Sequence, residues 1–254
     1  TDSSKAKYSI PSGFYNDSER FIDNARKLAL EVSRKEQACA LWVSINPVKP
    51  DFLTDNRLKP NCINELSYTL VKDSEGNQIL KKNGKPLSKF DYKLADDESI
   101  ASRRFFLIDI DSKHAKDENA TDSDKLVAFE VATEVVKFLD WDIPVIADSG
   151  NGIHLLYRVE LPNDVDSLCL LKAVLTNLGN KFNSDKIGGI DVKVHNAARV
   201  IKLYGSMSKK GENTKERPHR LSKFIYNPAS LPVISREQLL AKAGTTYNKM
   251  FTIF

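Results

Sequence analysis

The stretch FFLIDID, residues 105–111, decides the fold. Its aromatic and branched residues favour a β-strand, and its apolar run indicates a strand that is covered on both faces. Because side chains alternate along a strand, Asp109 and Asp111 should share one face, roughly 6–7 Å apart. Two carboxylates that close repel each other and raise each other's pKa. A hard divalent cation with oxygen ligands would remove this repulsion. The simpler interpretation is a strand that ends in a polar turn.

The residues that follow this strand predict an alternation of helices and strands. The first element is a helix that begins at Thr121, where Asp124 three residues later comes close to a capping box. It is followed by a strand at 144–147, a tight SGNG turn at 149–152, a returning strand at 153–159, a helix at 163–183 and a strand at 198–204. From residue 104 the order is strand, helix, strand, strand, helix, strand, which is the ferredoxin-like or RRM-like order. The first strand is central in that order, so its acids should lie on the open face of the sheet.

The flanking segments predict smaller elements. Residues 14–37 have helical spacing of apolar residues, and residues 39–45 indicate a buried strand. Residues 47–103 are less regular, and we expect a peripheral hairpin there. Ser235 and Gln238 form a capping box for a short closing helix at about 236–243. The fold class is therefore mixed α/β (α+β).

His154 lies at the start of the returning strand, directly after the glycine-rich turn. In that strand Ile153, Leu155 and Tyr157 face one way and His154 faces the other. A histidine in this position is held on a rigid element and is accessible to a ligand. The alternative is a structural histidine that is satisfied by hydrogen bonds.

The charge of the chain is uneven. The formal net charge is +4, but residues 193–223 contain nine Lys or Arg and two Glu, so they carry +7 against −3 elsewhere. Such an asymmetry indicates a polyanionic partner on one surface, whereas the simpler interpretation is a solvated basic loop. Residues 205–211, GSMSKKG, add small residues that allow a close backbone approach and lysines that suit phosphates.

The composition excludes several classes of protein. The three cysteines, Cys39, Cys62 and Cys169, are widely spaced, which argues against a zinc site and a disulfide framework and fits a reducing cytoplasm. No apolar run approaches the ~20 residues of a membrane helix, so we expect no membrane partner. We find no signal peptide. The chain begins at Thr1, and we expect it to be a piece of a longer protein.

Three stretches, in order, resemble motifs of the archaeo-eukaryotic primase superfamily. Residues 106–111 resemble the first motif, an apolar strand that ends in Asp-x-Asp or Asp-x-Glu. Residues 147–157, ADSGNGIHLLY, resemble the second, a glycine-rich turn that leads to a nucleotide-contacting histidine. Asp191 with residues 199–205 resembles the third, a metal-binding acid followed by a strand with an arginine.

The resemblance covers about residues 40–225, and the basic stretches 209–214 and 216–220 are similar to the phage, plasmid and CRISPR-associated primase-polymerase branch. It implies a catalytic core in which an N-terminal α/β subdomain is packed on an RRM-like subdomain that carries a two-metal site. We expect the N-terminal subdomain at 1–100, the RRM-like subdomain at 101–230, and a C-terminal helix and tail at 231–254.

The resemblance also implies template-directed nucleotidyl transfer, with DNA as template and primer, dNTP or NTP as substrate, and Mg²⁺ or Mn²⁺ as cofactor. The implied catalytic and metal-binding residues are Asp109, Asp111 and Asp191. The implied nucleotide-binding residues are Ser149, Gly150, Asn151, Gly152, His154, Arg199, Lys209 and Lys210. The implied nucleic-acid-binding residues are Lys202, Lys215, Arg217 and Arg220. Many relatives carry zinc-binding or helical accessory domains that help initiation, and none is visible in this sequence.

Two other functions remain open at this point. An RRM-like sheet can bind single-stranded nucleic acid without chemistry, but it would place stacking aromatic residues where this chain places carboxylates. A metal-dependent nuclease would also use paired carboxylates. A rolling-circle initiator is disfavoured, because it needs a His-x-His pair and His114, His154, His195 and His219 form none.

Overall fold

The computed structural model describes residues 7–34, 40–82, 84, 86–90, 95–112, 118–184 and 188–251. Its contacts divide the chain into two compact units. The first unit contains residues 1–27 and 49–95, and the second contains residues 28–48 and 96–254. The domain boundaries expected from the sequence differ from this division, since residues 28–48 belong to the second unit.

The second unit is organised around a five-stranded antiparallel sheet. Its strands are β5 (Ser102–Ser112), β6 (Val145–Asp148), β7 (Gly152–Pro162), β8 (Gly188–Ile190) and β12 (Lys223–Tyr226). The spatial order is β12-β6-β7-β5-β8. Without the edge strand β12, this is the strand order of a ferredoxin-like fold, and β5 is central as the sequence predicted. The mixed α+β class is confirmed.

Three helices complete this unit: α3 (Asp122–Leu139), α4 (Val165–Phe182) and α5 (Arg236–Phe251). Helix α3 packs on β5 and β7, while α5 packs on α4. The predicted capping boxes at Thr121 and Ser235 are both present. Helix α5 runs past the predicted end, but Gly244 interrupts its helical geometry at φ 59°. None of the described helices is long and apolar enough to cross a membrane.

The core lies between α3, α4 and the covered face of the sheet. Ile108 and Ile110 of β5 are fully buried there, and so is Leu155 of β7. The opposite face is not bare either, because Leu107 and Ile201 belong to the same buried cluster. Asp109 and Asp111 therefore stand on a strand that is held by apolar contacts on both faces.

The prediction for residues 198–204 was wrong in its pairing. Only β9 (Val200–Lys202) is a strand, and it pairs with β2 (Trp42–Ser44), outside the main sheet. The fourth ferredoxin-like strand is β8, which pairs with β5 through Ile190 opposite Ile110. Strand β2 is also not buried as predicted, since Trp42 is 53% exposed. Cys39 and the rest of residues 35–39 lie outside the described residues.

The first unit contains a three-stranded sheet. Its strands are β1 (Lys7–Gly13), β3 (Ile63–Leu70) and β4 (Ser88–Phe90), in the order β1-β3-β4, and α2 (Asp51–Asp55) follows the first part of α1 (Ser18–Arg34). The predicted hairpin is present as a turn, because the Ile79 amide donates to the Val71 carbonyl. The second arm of this hairpin makes only isolated bridges, at Gln78 and Leu80, and forms no strand. In the second unit, a 3₁₀ turn (Asp97–Ser99) and two short paired strands, β10 (Met207–Ser208) and β11 (Arg220–Leu221), complete the described elements.

The side chain of Asn46 provides a hydrogen-bond partner where the backbone pairing of β5 is interrupted. The register of β5 against β7 shifts between Arg103 and Phe105, which leaves amides without a strand partner. The Asn46 Oδ1 atom accepts from the Arg104 amide at 2.7 Å and from the Phe105 amide at 3.3 Å. Its Nδ2 atom donates to the Ala197 carbonyl at 2.9 Å. This buried side chain therefore joins three separate segments of the second unit.

We expect Asn46→Ala to lower the free energy of unfolding by about 2–4 kcal/mol, because buried backbone groups would lose their partners. Urea denaturation measures this change. Asn227→Ala, at an exposed position, is the control and should change stability by less than about 0.5 kcal/mol. Equal stability of the Asn46 variant and the control would show that the bulge does not depend on this side chain.

Candidate active site

Two opposite pairs on β5 and β7 form the base of the site. Asp109 lies opposite His154, and Asp111 lies opposite Gly152. Opposite residues of antiparallel strands project from one face, so both carboxylates and the imidazole lie together. The Nε2 atom of His154 is 3.4 Å from Oδ1 of Asp109. Asp109 and Asp111, called the acid pair below, share a face as predicted.

Glycine is required at two positions around the acid pair. A Cβ atom at Gly152 would lie 2.2 Å from Oδ1 of Asp111 and 2.3 Å from the Ile110 carbonyl oxygen, which is closer than atoms can approach. A Cβ atom at Gly150 would lie 2.5 Å from the Cβ atom of Ser208, and Gly150 has φ +96°. Only glycine meets both conditions without strain.

The two carboxyl groups of the acid pair differ in proton affinity. Burial raises the pKa of Asp109, but the charge and hydrogen bond of His154, with the charges of Arg199 and Lys202, bring that pKa below its ordinary value. Burial, followed by the charge of Asp109, raises the pKa of Asp111 to about 7. Near neutral pH, Asp109 is therefore ionised while Asp111 is partly protonated.

The hairpin turn, residues 149–152, is held by its own side chains. Ser149 Oγ accepts from the amides of Asn151 and Gly152, and Asp148 Oδ1 accepts from the amide of Gly150 at 2.7 Å. The other oxygen of Asp148 is ion-paired with Lys125 of α3. The Ser149 amide donates to the Gly152 carbonyl, so all four amides of the turn already donate internally. The expected nucleotide contact of this turn stays a prediction.

Lys202 brings a positive charge into the site. Its amine donates to the Ser149 carbonyl at 2.9 Å and to the hydroxyl of Ser208. Burial lowers its pKa, and the acid pair opposes that effect. The resemblance implied nucleic-acid binding for Lys202, and that role stays a prediction. The structure places its amine beside the hairpin turn and close enough to the acid pair to act on both carboxylates.

Asp191 and Arg199 lie beside the acid pair but are engaged locally. Asp191 directly follows β8, and its amide donates to the Asp109 carbonyl at 2.9 Å, which brings the two residues side by side. The Asp191 Oδ1 atom accepts from the Lys193 amide at 2.8 Å. The Arg199 Nη2 atom donates to the Lys193 carbonyl at 3.1 Å, and the Arg199 charge acts on Asp109. The backbone therefore brings the third acid close, while its carboxylate is turned towards Lys193.

The acid pair suits a hard divalent cation in the type of its donors. Two half-buried carboxylates on one face, one with a raised pKa, lack the positive charge that would keep both ionised. Within the ranges that the structure describes, no group of three His, Cys, Asp or Glu side chains is placed to hold a metal. The fit therefore rests on two carboxylates, and Asp191 stays a predicted ligand.

The predicted basic residues fall into two groups. Lys210 acts electrostatically on Asp111, and Lys215 is exposed. Arg217 instead forms ion pairs with Glu118 and Asp124. Two further basic side chains also contact other residues of the chain. These are Arg220 with the Ala120 carbonyl and Asp122, and Lys209 with the Val32 and Ser33 carbonyls of α1. The structure thus brings Lys202 and Lys210 to the acid pair and places Arg217 and Arg220 against the start of α3.

Three residues of the site were missed in the sequence analysis. Tyr204 contacts His154 through its hydroxyl group, and Lys125 and Asp148 fix the hairpin turn. Tyr204 and Asp148 lie inside the stretches that carry the resemblance, which was the available signal. Lys125 lies on α3, and no local pattern relates it to the turn.

Comparisons with known proteins give one distant likeness. No protein-family model matches the chain, and no curated protein matches it. Among solved structures, the AEP domain of the cyanophage S-2L primase-polymerase (PrimPol) is similar at 16% sequence identity and a TM-score of 0.39. The similarity covers 89% of this chain and 98% of that chain. A function for this chain therefore has to rest on its own residues.

The raised pKa of Asp111 predicts a pH-dependent stability of the protein in the presence of a chelator. In the folded state Asp111 keeps its proton up to about pH 7, whereas an unfolded aspartate releases it near its ordinary value of 3.8. Over that interval the folded state binds more protons, so this group lowers stability as the pH rises. Asp111→Asn should remove the effect, and its advantage over wild type should grow by about 2 kcal/mol between pH 5 and pH 8.

Thermal or urea denaturation at both pH values provides the measurement. Asp142→Asn, at an exposed position, is the matched control and should give the same difference from wild type at each pH. An advantage of Asp111→Asn that does not change with pH would show that this carboxyl group ionises normally in the folded protein.

Proposed function

We propose that this chain catalyses template-directed nucleotidyl transfer, in which a primer is extended with nucleoside triphosphates. The observation that supports it best is the position of the acid pair, with His154 opposite Asp109 and the Lys202 amine beside both acids. Carboxylates that can hold a cation stand next to cationic groups that can hold phosphates. A site for phosphoryl chemistry needs both, and a site that only binds nucleic acid does not need the acids.

The proposed reaction joins the primer 3′-hydroxyl to the α-phosphate of the incoming nucleotide. A new P–O bond forms, the bond to pyrophosphate breaks, and the hydroxyl proton is released. Mg²⁺ or Mn²⁺, held by Asp109 and Asp111 with Asp191 as the expected third ligand, would stabilise charge on the phosphates and lower the pKa of the hydroxyl. The chain contributes the orientation of the reactants and the surrounding fixed charge.

The triphosphate is proposed to bind the cations that surround the acid pair. Lys202 and Lys210 act on Asp111, and Arg199 acts on Asp109, so all three charges reach this part of the site. Arg199 can contact two phosphate oxygens at once through its guanidinium group, whereas each lysine acts as a point charge. The hairpin turn is rigid and would give the bound nucleotide a fixed wall.

DNA template and primer are the proposed partners. The exposed Lys215 is the best-placed of the expected contacts, because Arg217 and Arg220 are already paired with acids at the start of α3. The substrate is proposed to be dNTP or NTP. A metal-dependent nuclease would use a similar acid pair, and its activity would require no nucleoside triphosphate.

We expect Asp109→Asn to reduce primer extension by about 100-fold or more, because one of two carboxylates would be lost while the shape is kept. Extension of a labelled primer–template with each nucleotide class is the measurement, with circular dichroism to verify folding. Glu134→Gln, which changes an exposed acid on α3, is the control and should extend normally.

Near-normal extension by folded Asp109→Asn would reject the acid pair as the reaction centre. Degradation of the DNA without nucleotides would indicate the nuclease instead. Tight DNA binding with neither activity would indicate the binding module.

The salt dependence of DNA binding should separate Lys215 from Arg217. If Lys215 contacts a phosphate, Lys215→Ala should flatten the slope of log affinity against log salt concentration by about 0.7 for a single strand or 0.9 for a duplex. Arg217→Ala should change the slope less and lower the melting temperature, because its ion pairs with Glu118 and Asp124 hold the loop. Titration at several salt concentrations measures both slopes. An unchanged slope for Lys215→Ala would place the DNA path elsewhere.

A further inference from the structure

Tyr204 follows strand β9 and reaches across to His154. Its hydroxyl oxygen is 2.9 Å from the Nδ1 atom of His154, and the two ring centroids are 5.9 Å apart. The Tyr204 ring also packs edge-on against Phe224 of β12, at 4.9 Å between centroids. The phenol is therefore fixed in orientation by one polar and one aromatic contact.

The second ring nitrogen of His154 faces the acid pair. Its Nε2 atom lies 3.4 Å from Oδ1 of Asp109, and the side chain of His154 is only 7% exposed. Both nitrogens of a nearly buried imidazole thus have a neighbour, a phenol on one side and a carboxylate on the other. Such a ring can adopt only those protonation patterns that suit both neighbours.

The chemistry of these neighbours selects one pattern. A carboxylate only accepts hydrogen bonds, so the nitrogen that faces Asp109 must carry a proton. In the neutral ring, Nδ1 then has no proton and needs a donor, and the hydroxyl of Tyr204 is the donor within reach. Burial raises the pKa of Tyr204, which keeps the hydroxyl protonated.

We propose that Tyr204 is a positioning residue that holds His154 in the tautomer protonated at Nε2, with this N–H directed at the acid pair. Without the hydroxyl, a proton on Nδ1 would leave a lone pair on Nε2 facing Asp109, and the two would repel. With it, His154 is a donor towards the place where the triphosphate is proposed to bind. The effect on nucleotide use rests on the proposed function, whereas the tautomer does not.

A purely structural role for Tyr204 makes a different prediction. If the ring only packs between His154 and Phe224, Tyr204→Phe should be harmless, because the phenyl group keeps that contact. Tyr157 provides a matched control on the same strand as His154. It is buried against Trp141, and its hydroxyl has no hydrogen-bond partner within the described part of the chain.

The first test reads the tautomer directly. Ring ¹⁵N chemical shifts of His154, recorded for the metal-free protein and assigned with His154→Ala, should show the proton on Nε2. In Tyr204→Phe the population protonated at Nδ1 should rise about fivefold relative to the other, the effect of losing one hydrogen bond. Tyr157→Phe should match wild type. A wild-type proton on Nδ1, or unchanged shifts in Tyr204→Phe, would overturn the proposal.

The second test uses extension kinetics. Tyr204→Phe should raise the nucleotide KM about fivefold while kcat changes less than about twofold. In a His154→Ala background the same substitution should have no further effect, since the two residues act as one unit. An equal KM effect in both backgrounds would overturn the proposal. Absence of extension by wild type would reject the proposed function, and the ¹⁵N shifts would still decide the tautomer.

Discussion

The pairing of β5 with β7 is the constraint on which the site depends. It places Asp109 opposite His154 and Asp111 opposite Gly152, so one register fixes both acids and their neighbours. A slip of one residue would turn every side chain of a strand to the other face. It would exchange the acid pair for Ile108 and Ile110, which are fully buried under the helices. Burial of Ile108 and Ile110 in the hydrophobic core therefore fixes the register that places the carboxylates.

The acid pair destabilises the folded state electrostatically, and residues of the surrounding elements reduce this effect. Asp109 and Asp111 are close and half-buried, and the pKa of Asp111 is raised first by burial and second by the charge of Asp109. Lys202 of β9 and His154 of β7 reduce this repulsion. These two groups come from separate parts of the chain, so the arrangement exists only in the folded second unit. An apolar core alone would not specify this arrangement.

Local patterns predicted the elements whose causes are local. Thr121 and Asp124 predicted the start of α3, and the alternation in residues 153–159 predicted that Ile153, Leu155 and Tyr157 share a buried face. The expectation that His154 is accessible was wrong, because His154 and Leu156 on the other face of β7 are buried as well. The acid pair could be placed on one face because strand geometry is periodic. These inferences needed only the residues within one element.

Long-range pairing could not be read in the same way. Residues 198–204 have the composition of a sheet strand, but β9 pairs with β2, about 160 residues earlier. Arg217 and Arg220 looked like ligands for phosphate because they are basic and clustered. In the fold, acids at the start of α3 pair with them, and charge counting along the sequence cannot see that partner. The role of Tyr204 could not be predicted either, because it depends on a contact with His154, which is 50 residues away in the sequence.

Gly150 and Gly152 mark positions near the site that cannot be substituted in protein engineering. Neither position can accept a side chain, since a Cβ atom would overlap Ser208 in one case and Asp111 in the other. Variants that replace either glycine would therefore be mostly misfolded. The ladder of β2 and β9 is different, because Trp42 and Val200 are each about half exposed on the face that also carries Lys202. Substitutions there can change the surroundings of the site in small steps while the acid pair keeps its geometry.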